Sequence, residues 1–288
     1  MRSIGVTLLA LLTTMATGAG AARADEAAGH YNLALQLKRQ GKTAEAIAEC
    51  EKALEKRPNY AAAHFTMGNL WRAQGDYAKA ATHYARSAAL EPKDAESHTN
   101  LGAAYVRLKR LDEGIKELET ALALKPDNYE TRVSAGFAYR QKGDLKKAVE
   151  HLEKATELKP DDPTAWTNLG VAKSKSDDKE GAVVAFKKAI TLKPDSAENH
   201  FNLATVYRRQ RKTDEAIKEY EVALSYDPLL AGAHYDLGIL FSQQKRHEES
   251  LAAFKKFLEA GGRDDPRDRA DAEDRIKTYE AAGVGKRK

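Results

Sequence analysis

The four residues Leu192-Lys193-Pro194-Asp195 occur twice more in the chain, at 124–127 and 158–161, with a spacing of 34 residues. Six of the eight prolines follow one another at the same spacing of 34 residues: Pro58, Pro92, Pro126, Pro160, Pro194 and Pro228. A fixed period of about 20 to 50 residues is typical of solenoids, in which each repeat stacks on its neighbours. The spacing therefore predicts one elongated repeat array.

Each repeat contains two helical patterns and no strand pattern. When the proline is numbered position 32, the repeats begin near residues 27, 61, 95, 129, 163, 197 and 231. Apolar or small residues recur at positions 4, 7, 8 and 11, and again at 20, 24 and 27, as on a helix with one buried face. Proline ends the second helix, and Asp94, Asn128, Asp162 and Ser196 are placed to cap the helix that follows.

Small residues predict where the two helices of a repeat approach each other. Glycine is common at position 8 and alanine at position 20, so we expect the two backbones to come close there, with large residues at 11 and 24 filling the adjacent space. Gly41, Gly75 and Gly143 are expected in the turn between the helices. Gly114, at position 20 of the third repeat, is expected to cost about 1 kcal/mol of helix propensity.

This pattern, from about residue 25 to 264, resembles the tetratricopeptide repeat. The resemblance implies an all-α, right-handed α-solenoid of seven helix-turn-helix repeats. It also implies that the first helices line a concave groove that binds a peptide or protein segment. In the fifth repeat, Lys173 replaces the large residue at position 11, either covering apolar surface with its stem or contacting a ligand in the groove.

Both ends of the chain differ from the repeats. Residues 1–24 resemble a signal peptide: Arg2, an apolar run over 4–12, and a small-x-small site at Ala22-Arg23-Ala24. Residues 265–282 are expected to form a capping helix that packs through Ala272, Ile276 and Tyr279, with Asp271 among the residues facing water, and 283–288 a disordered basic tail. We therefore expect export to the periplasm or outside of a bacterium, with no transmembrane segment after removal of the signal.

Composition and motifs argue against most enzyme classes. Loss of Arg2 and Arg23 with the signal lowers the formal charge from +4 to +2, which does not favour nucleic-acid binding. No catalytic motif has the required spacing, and we expect no enzyme activity, cofactor or metal. Histidines recur at position 4, but neighbouring helices lie about 8–10 Å apart, so we interpret them as rings filling helix–helix seams.

The candidate binding residues lie on the first helices. Position 6 carries short polar groups that could hold an extended backbone: Asn32, Asn100, Asn168, Asn202 and Asp236, with Thr66 and Ser134 between them. Positions 12 and 13 carry cations: Arg72, Arg107, Arg140, Lys175, Arg208 and Arg209, with Lys38 and Arg39 in the first repeat. These cations either complement helix dipoles or form a basic lip for an acidic partner.

The sequence thus predicts a non-enzymatic scaffold or adaptor that binds a peptide or protein segment, with a role in assembling an envelope or secretion complex. Two alternatives stay open. One is a self-assembling structural array. The other is a module associated with carbohydrate or with an enzyme complex, for which the aromatic candidates stand at position 5: Tyr31, Phe65, Phe201 and Tyr235.

Overall fold

The computed structural model of the chain describes residues 23–262 and 266–285. These residues form helices joined by short turns, and no strand occurs among them. Residues 1–22, which hold nearly all of the predicted signal peptide, lie outside the described residues, as do 286–288. The all-α solenoid class predicted from the period is confirmed, since antiparallel helix pairs follow one another along the chain.

The helices divide between two compact units, and the boundary in the chain falls between Lys142 and Gly143. The first unit contains α1 (23–39), α2 (Thr43–Lys56), α3 (Ala61–Ala73), α4 (Tyr77–Leu90), α5 (Ala95–Arg107), α6 (Leu111–Leu124) and α7 (Tyr129–Lys142). The second contains α8 (Leu145–Leu158), α9 (Pro163–Lys175), α10 (Lys179–Leu192), α11 (Ala197–Arg209), α12 (Thr213–Tyr226), α13 (Ala231–Gln243), α14 (His247–Glu259) and α15 (Pro266–Ala281). The predicted single array is thus divided within its fourth repeat.

Helix ends follow the predicted signals. Each second helix from α2 to α12 ends two residues before its proline. Asp94 accepts hydrogen bonds from the amides of Glu96 and Ser97, and Asp162 accepts one from the amide of Thr164 at 2.8 Å. The other two predicted caps, Asn128 and Ser196, accept equivalent bonds.

The turn between the two helices of a repeat needs a left-handed residue at position 15. Gly41, Gly75 and Gly143 meet this need with φ of 75°, 80° and 89°. In the other repeats the same position has a positive φ without glycine: Lys109, Asp177, Arg211 and Lys245, with φ of 60° to 66°. Sequence reasoning missed these four positions: lysine and arginine give no local signal for a left-handed turn, and the signal from Asp177 was overlooked.

The glycines at position 8 leave space for a large side chain on the second helix of the same repeat. A Cβ on Gly68 would lie 2.6 Å from the ring of Tyr84, and one on Gly170 would lie 2.7 Å from the ring of Phe186. Both rings stand at position 24. The large side chain at position 24 therefore fills the space over the glycine, as predicted for the residue beside the close approach.

The third repeat shows the predicted close approach of the two backbones at positions 8 and 20. A Cβ on Gly102 would lie 2.8 Å from the carbonyl oxygen of Gly114, and a Cβ on Gly114 would lie 2.9 Å from that of Gly102. The same Cβ on Gly114 would also lie 2.7 Å from Cγ2 of Val106. Gly114 is therefore a requirement of this packing, a role that its expected cost in helix propensity did not indicate.

Lys173 has a polar partner in place of the expected aromatic packing. Its Nζ lies 2.8 Å from Oε1 of Glu153 and 3.7 Å from Oδ2 of Asp178, and its side chain is 19% exposed. A Cβ on Gly181 would lie 2.2 Å from that Asp178 carboxylate and 2.8 Å from Cδ of Lys173. Thus the lysine stem is largely buried, its ammonium is paired, and Gly181 leaves the space that both need.

The carboxyl-terminal helix packs largely as predicted. Ala272 is buried, and Ile276 and Tyr279 pack with it against Phe254 and Phe257. Asp271, predicted to face water, instead accepts a hydrogen bond from the hydroxyl of Tyr235 at 3.0 Å and pairs with Arg275 at 2.8 Å.

The described part of the predicted disordered tail is a helix-ending turn. The amide of Val284 donates to the carbonyl of Tyr279 at 2.9 Å, and Gly283 and Gly285 have φ of 78° and 77°. This turn satisfies carbonyls at the end of α15, and disorder of the basic tail stays a prediction.

We predict that Lys245→Gly stabilises the chain by about 1 kcal/mol, because glycine removes the cost of a left-handed conformation at φ 61°. The free energy of unfolding in urea measures the effect. Lys245→Ala is the matched control, since alanine keeps a Cβ and should bring no comparable gain. Equal stabilities for the glycine and alanine variants would contradict the strain argument.

We also predict that Gly170→Ala destabilises the chain by about 1–3 kcal/mol, because its methyl group would overlap the Phe186 ring. Gly29→Ala is the control: nothing lies within 4 Å of its Cβ position, and alanine should strengthen α1. Thermal denaturation of both variants tests the pair. The packing account fails if Gly170→Ala is as stable as the parent protein.

Candidate functional site

The predicted position-6 residues differ in how far a ligand could reach them. In the first unit, Asn32 is exposed and Asn100 is half-buried. In the second unit, Asn168 and Asn202 are half-buried. The amide groups of Asn100 and Asn168 donate to backbone carbonyls one turn earlier, at 3.1 and 3.0 Å. These amide N–H donors, which were predicted to bind a ligand, are therefore partly used in hydrogen bonds within the helix.

Asp236 lies in a buried hydrogen-bonded network. Its side chain accepts from the hydroxyl of Tyr220 at 2.9 Å, and that hydroxyl also lies 3.1 Å from Oγ1 of Thr205. Asp236 is only 3% exposed. Burial and the nearby carboxylate raise the pKa of Tyr220, so the phenol stays protonated and can donate. The structure thus places Asp236 among packing contacts and away from an accessible row.

The predicted cations of the first unit have three different environments. Arg72 is exposed on α3. The guanidinium of Arg107 lies 5.4 Å from the ring centre of Tyr77, and that of Arg140 lies 5.0 Å from the ring centre of Phe137. Guanidinium–ring contacts of this kind contribute about 0.5–1 kcal/mol at exposed sites. Arg107 and Arg140 therefore have packing roles that the sequence did not indicate.

In the second unit, two of the three predicted cations contact other residues of the fold. Arg209 donates to the carbonyl of Ser174 at 2.7 Å and to the carboxylate of Asp177 at 2.8 Å, which ties it to the turn after α9. Arg208 lies 4.0 Å from the Asp236 carboxylate, while Lys175 is exposed. Arg209 was predicted as a groove contact, but the structure uses it to join neighbouring repeats.

A cleft of about 520 Å³ in the first unit brings several candidates together. It joins Arg72 of α3 to Asn100 of α5 and to Ser134 of α7. The remaining lining residues are Asp94, Ala95, Glu96, Thr99, Ala103, Lys125, Asn128 and Glu130. Lys125 and Asn128 belong to the repeated Leu-Lys-Pro-Asp stretch and its cap, which sequence reasoning had assigned to helix termination alone.

The charge of this cleft is mixed. Its lining contains three carboxylates and two cations. Asp94 is occupied in capping α5, whereas Glu96 is exposed. A purely basic lip was one of the two interpretations of the cation row. The residues that line this cleft do not form a purely basic lip.

Hydrogen bonds hold the walls of the cleft in place. Oγ1 of Thr99 and Oγ1 of Thr131 lie 2.7 Å apart, and both residues are buried. This contact joins α5 to α7 beside the cleft. The hydroxyl of Tyr84 on α4 donates to Oδ1 of Asn69 on α3 at 2.7 Å. Burial raises the pKa of Tyr84 to about 12. The surface is thus built on packed helices whose side chains are fixed by hydrogen bonds within one repeat and between two repeats.

The position-5 aromatics pack within the fold. Ring centres of Phe65 and Tyr84 lie 5.8 Å apart, and those of Phe201 and Tyr220 lie 5.6 Å apart. Tyr235 lies 5.8 Å from Phe254, and Tyr31 contacts the hydroxyl of Thr66. These contacts favour packing over the aromatic platform that a carbohydrate module would need.

The position-4 side chains bond to the end of the preceding repeat. In six repeats a ring or guanidinium nitrogen lies 2.9–3.2 Å from the proline carbonyl six residues earlier: His64, His98, Arg132, Trp166, His200 and His234. This agrees with the interpretation of the histidines as seam residues. Within residues 23–262 and 266–285, no group of three or more His, Cys, Asp or Glu side chains could hold a metal ion.

The single cysteine and the helix lengths add two further facts. Cys50 is buried, and burial raises the pKa of its thiol to about 12. None of the helices described is both long enough and apolar enough to cross a membrane.

Solved structures share this architecture. A structure of MamA has a TM-score of 0.54 and 28% identity, covering 56% of this chain and 94% of MamA. A tetratricopeptide repeat protein from Parabacteroides merdae ATCC 43184 has a TM-score of 0.65 and 17% identity, covering 88% and 98%. YrrB, described as having an unusual peptide-binding site, has a TM-score of 0.53 and 20% identity, covering 62% and 91%. The last two show the fold alone.

Family models match most of the described repeats, whereas no curated protein matches the chain. A model described as "TPR repeat" matches residues 68–109 and 136–177. Models described as "Tetratricopeptide repeat" match residues 37–80, 95–128, 163–196 and 201–266. With the 34-residue period and the helix pairs, these matches show that the chain belongs to the tetratricopeptide repeat family.

Proposed function

We propose that the chain is a non-catalytic scaffold that binds an extended peptide or protein segment in the cleft of its first unit. The observation that carries the proposal is the 520 Å³ cleft, which combines Arg72, Asn100 and Ser134 from three successive first helices. Family membership supports protein binding in general. The cleft supplies the place and the chemistry.

The polar groups suit a peptide backbone with charged side chains. With its amide nitrogen bonded to the carbonyl of Glu96, Asn100 presents an oxygen that can accept from a peptide N–H. Ser134 can donate or accept. Arg72 and Lys125 can bind a carboxylate, and Glu96 can bind an ammonium or guanidinium group. A mixed-charge segment can therefore pair with more of the charged groups in the cleft than a purely acidic segment can.

The second unit offers fewer groups for a ligand. Asp236 is buried, and Arg208 lies near its carboxylate. Arg209 is bonded to Ser174 and Asp177. Lys175, Asn168 and Asn202 keep some exposure and stay predictions as contacts. We therefore assign the principal site to the first unit.

We further propose that the scaffold works outside the cytoplasm, in assembling an envelope or secretion complex of a bacterium. Support comes from the sequence of residues 1–24, with its basic start, apolar run and small-x-small site. Export would be tested by fractionating cells that express the chain with a carboxyl-terminal tag. A cytoplasmic protein that keeps residues 1–24 would contradict this part of the proposal.

Self-association is a second candidate function. It is favoured by exposed apolar side chains at the end of α12 and just beyond it, where Tyr226 is 49% and Leu229 is 74% exposed. The equivalent of Leu229 in the other repeats is polar or charged. Sedimentation of the parent and of Leu229→Asp tests it: a mass that rises with concentration only in the parent supports this candidate, and a monomeric parent contradicts it.

We predict that Arg72→Glu weakens binding of mixed-charge peptides about tenfold, or about 1.4 kcal/mol, because it removes a cation that lines the cleft. An array of short random peptides identifies binders, and fluorescence anisotropy then measures their Kd. Lys218→Glu makes the same charge change on an exposed lysine of α12, outside the candidate residues, and should leave Kd unchanged. Equal losses in both variants would indicate a general charge effect and contradict the assigned site.

A second variant tests the polar contact without changing charge. Asn100→Ala should weaken the same peptides by about 1 kcal/mol, because a hydrogen-bond acceptor is lost. Asn32→Ala, at the same repeat position on exposed α1 surface away from the cleft, is the matched control. The proposal is contradicted if Asn100→Ala binds as tightly as the parent while Asn32→Ala binds less tightly.

A further inference from the structure

The second repeat has two histidines where three other repeats have a histidine and a glutamate. In repeats 1, 3 and 6, Nδ1 of the position-4 histidine lies 2.6–2.7 Å from a carboxylate, in the pairs His30–Glu49, His98–Glu117 and His200–Glu219. In repeat 2 the corresponding partner is His83, and the two Nδ1 atoms of His64 and His83 lie 3.2 Å apart. The contact between α3 and α4 in repeat 2 therefore depends on the protonation of two imidazoles instead of one imidazole and one carboxylate.

The contacts of His64 determine where the protons lie. Its Nε2 is 3.0 Å from the carbonyl oxygen of Pro58, which can only accept, so Nε2 carries a hydrogen. A neutral His64 then has a lone pair on Nδ1. The contact with His83 consequently requires a hydrogen on Nδ1 of His83, directed at that lone pair. The ring centres lie 5.5 Å apart, as expected when the two nitrogens point at each other.

The surroundings of the pair oppose positive charge. Burial lowers the pKa of both imidazoles, and the guanidinium of Arg86 lowers that of His64 further. Arg86 itself donates to Oδ1 of Asn59. In the described part of the chain, no carboxylate from α3, α4 or the neighbouring α2 and α5 contributes to the pKa shift of either histidine. The two rings therefore stay neutral near pH 7.

We propose that His64 and His83 form an acid-sensitive latch between α3 and α4. One added proton leaves a single hydrogen between the two Nδ1 atoms, so the contact survives. A second proton places an N–H on each facing nitrogen and two positive charges at 3.2 Å, so the contact is lost. Opening this seam releases α3, the helix that carries Arg72 into the cleft. The latch acts on the fold and does not depend on what the cleft binds.

The direction of the pH effect follows from linkage. Both histidines have a pKa below 6.5 in the folded protein. Below that pH the unfolded chain binds more protons, so the stability contributed by the neutral pair is full above 6.5 and is lost as the pH falls through the lowered pKa values. The three histidine–glutamate pairs differ, because an added proton there creates an attraction to a carboxylate.

The chain supplies its own reporter and matched variants. Trp71 lies on α3 and Trp166 on α9, so Trp166→Arg leaves one tryptophan that reports on repeat 2. Arginine keeps a donor for the proline carbonyl, as Arg132 does at the same position of repeat 4. In this background, His83→Glu converts repeat 2 to the pair found in repeats 1, 3 and 6. Glu117→His makes the reverse change in repeat 3. Urea titration of Trp71 fluorescence at about pH 7.5 and about pH 5 brackets the window below 6.5.

We expect the equilibrium constant for opening repeat 2 to rise on the order of tenfold between these two pH values in the parent, because two positive charges at the facing nitrogens oppose the closed seam. His83→Glu should remove this rise. Glu117→His should add a comparable acid sensitivity, read as an earlier urea midpoint at low pH. An equal pH dependence in the parent and in His83→Glu would overturn the proposal.

A second variant and an NMR titration cover the case in which His83→Glu does not fold. His83→Gln keeps a polar side chain that cannot gain a proton, and it should also remove the acid sensitivity. Titration of the imidazole resonances should show His64 and His83 with coupled midpoints, both below 6.5. Two independent midpoints at or above that value would overturn the latch.

Discussion

The hydrogen bond from position 4 to the carbonyl of the preceding proline is the contact on which the stacking of repeats depends. Proline ends the second helix and leaves its own carbonyl without a helical donor. A nitrogen six residues later, at the start of the next helix, satisfies that carbonyl, as for His98 on Pro92 and Trp166 on Pro160. The residue that stops one helix thus also fixes the entry of the next.

Features governed by neighbouring residues in the sequence were predictable. The period gave the helix pairs, and short-range rules gave Asp162 and Ser196 as caps and Ala272, Ile276 and Tyr279 as the packed face of α15. These depend on spacing along one helix or across one turn. The repetition also helped, because a helix pattern that is incomplete in one repeat is supported by the same positions in the other repeats.

Features that depend on contacts between repeats were not predictable. The burial of Asp236 results from Tyr220, sixteen residues earlier, and the bond from Arg209 to Asp177 joins two different repeats. The left-handed Lys245 has no local signal, because the turn is imposed by the helices on either side. For the candidate site, the sequence named Arg72 and Asn100. That they line one cleft with Lys125 and Asn128 depends on how three helices pack, which the sequence does not show.

Gly102 and Gly114 also limit how this chain can be redesigned. Each lacks a Cβ where the other's carbonyl oxygen stands within 3 Å of the Cβ position, and Val106 occupies the space beside Gly114. Averaging the seven copies into one consensus would write alanine at residue 114 and a cation at residue 106, each sensible alone. Made separately, the alanine change would collide with two neighbours. The third repeat must therefore be exchanged as a whole unit, and position-by-position consensus engineering should stop at its borders.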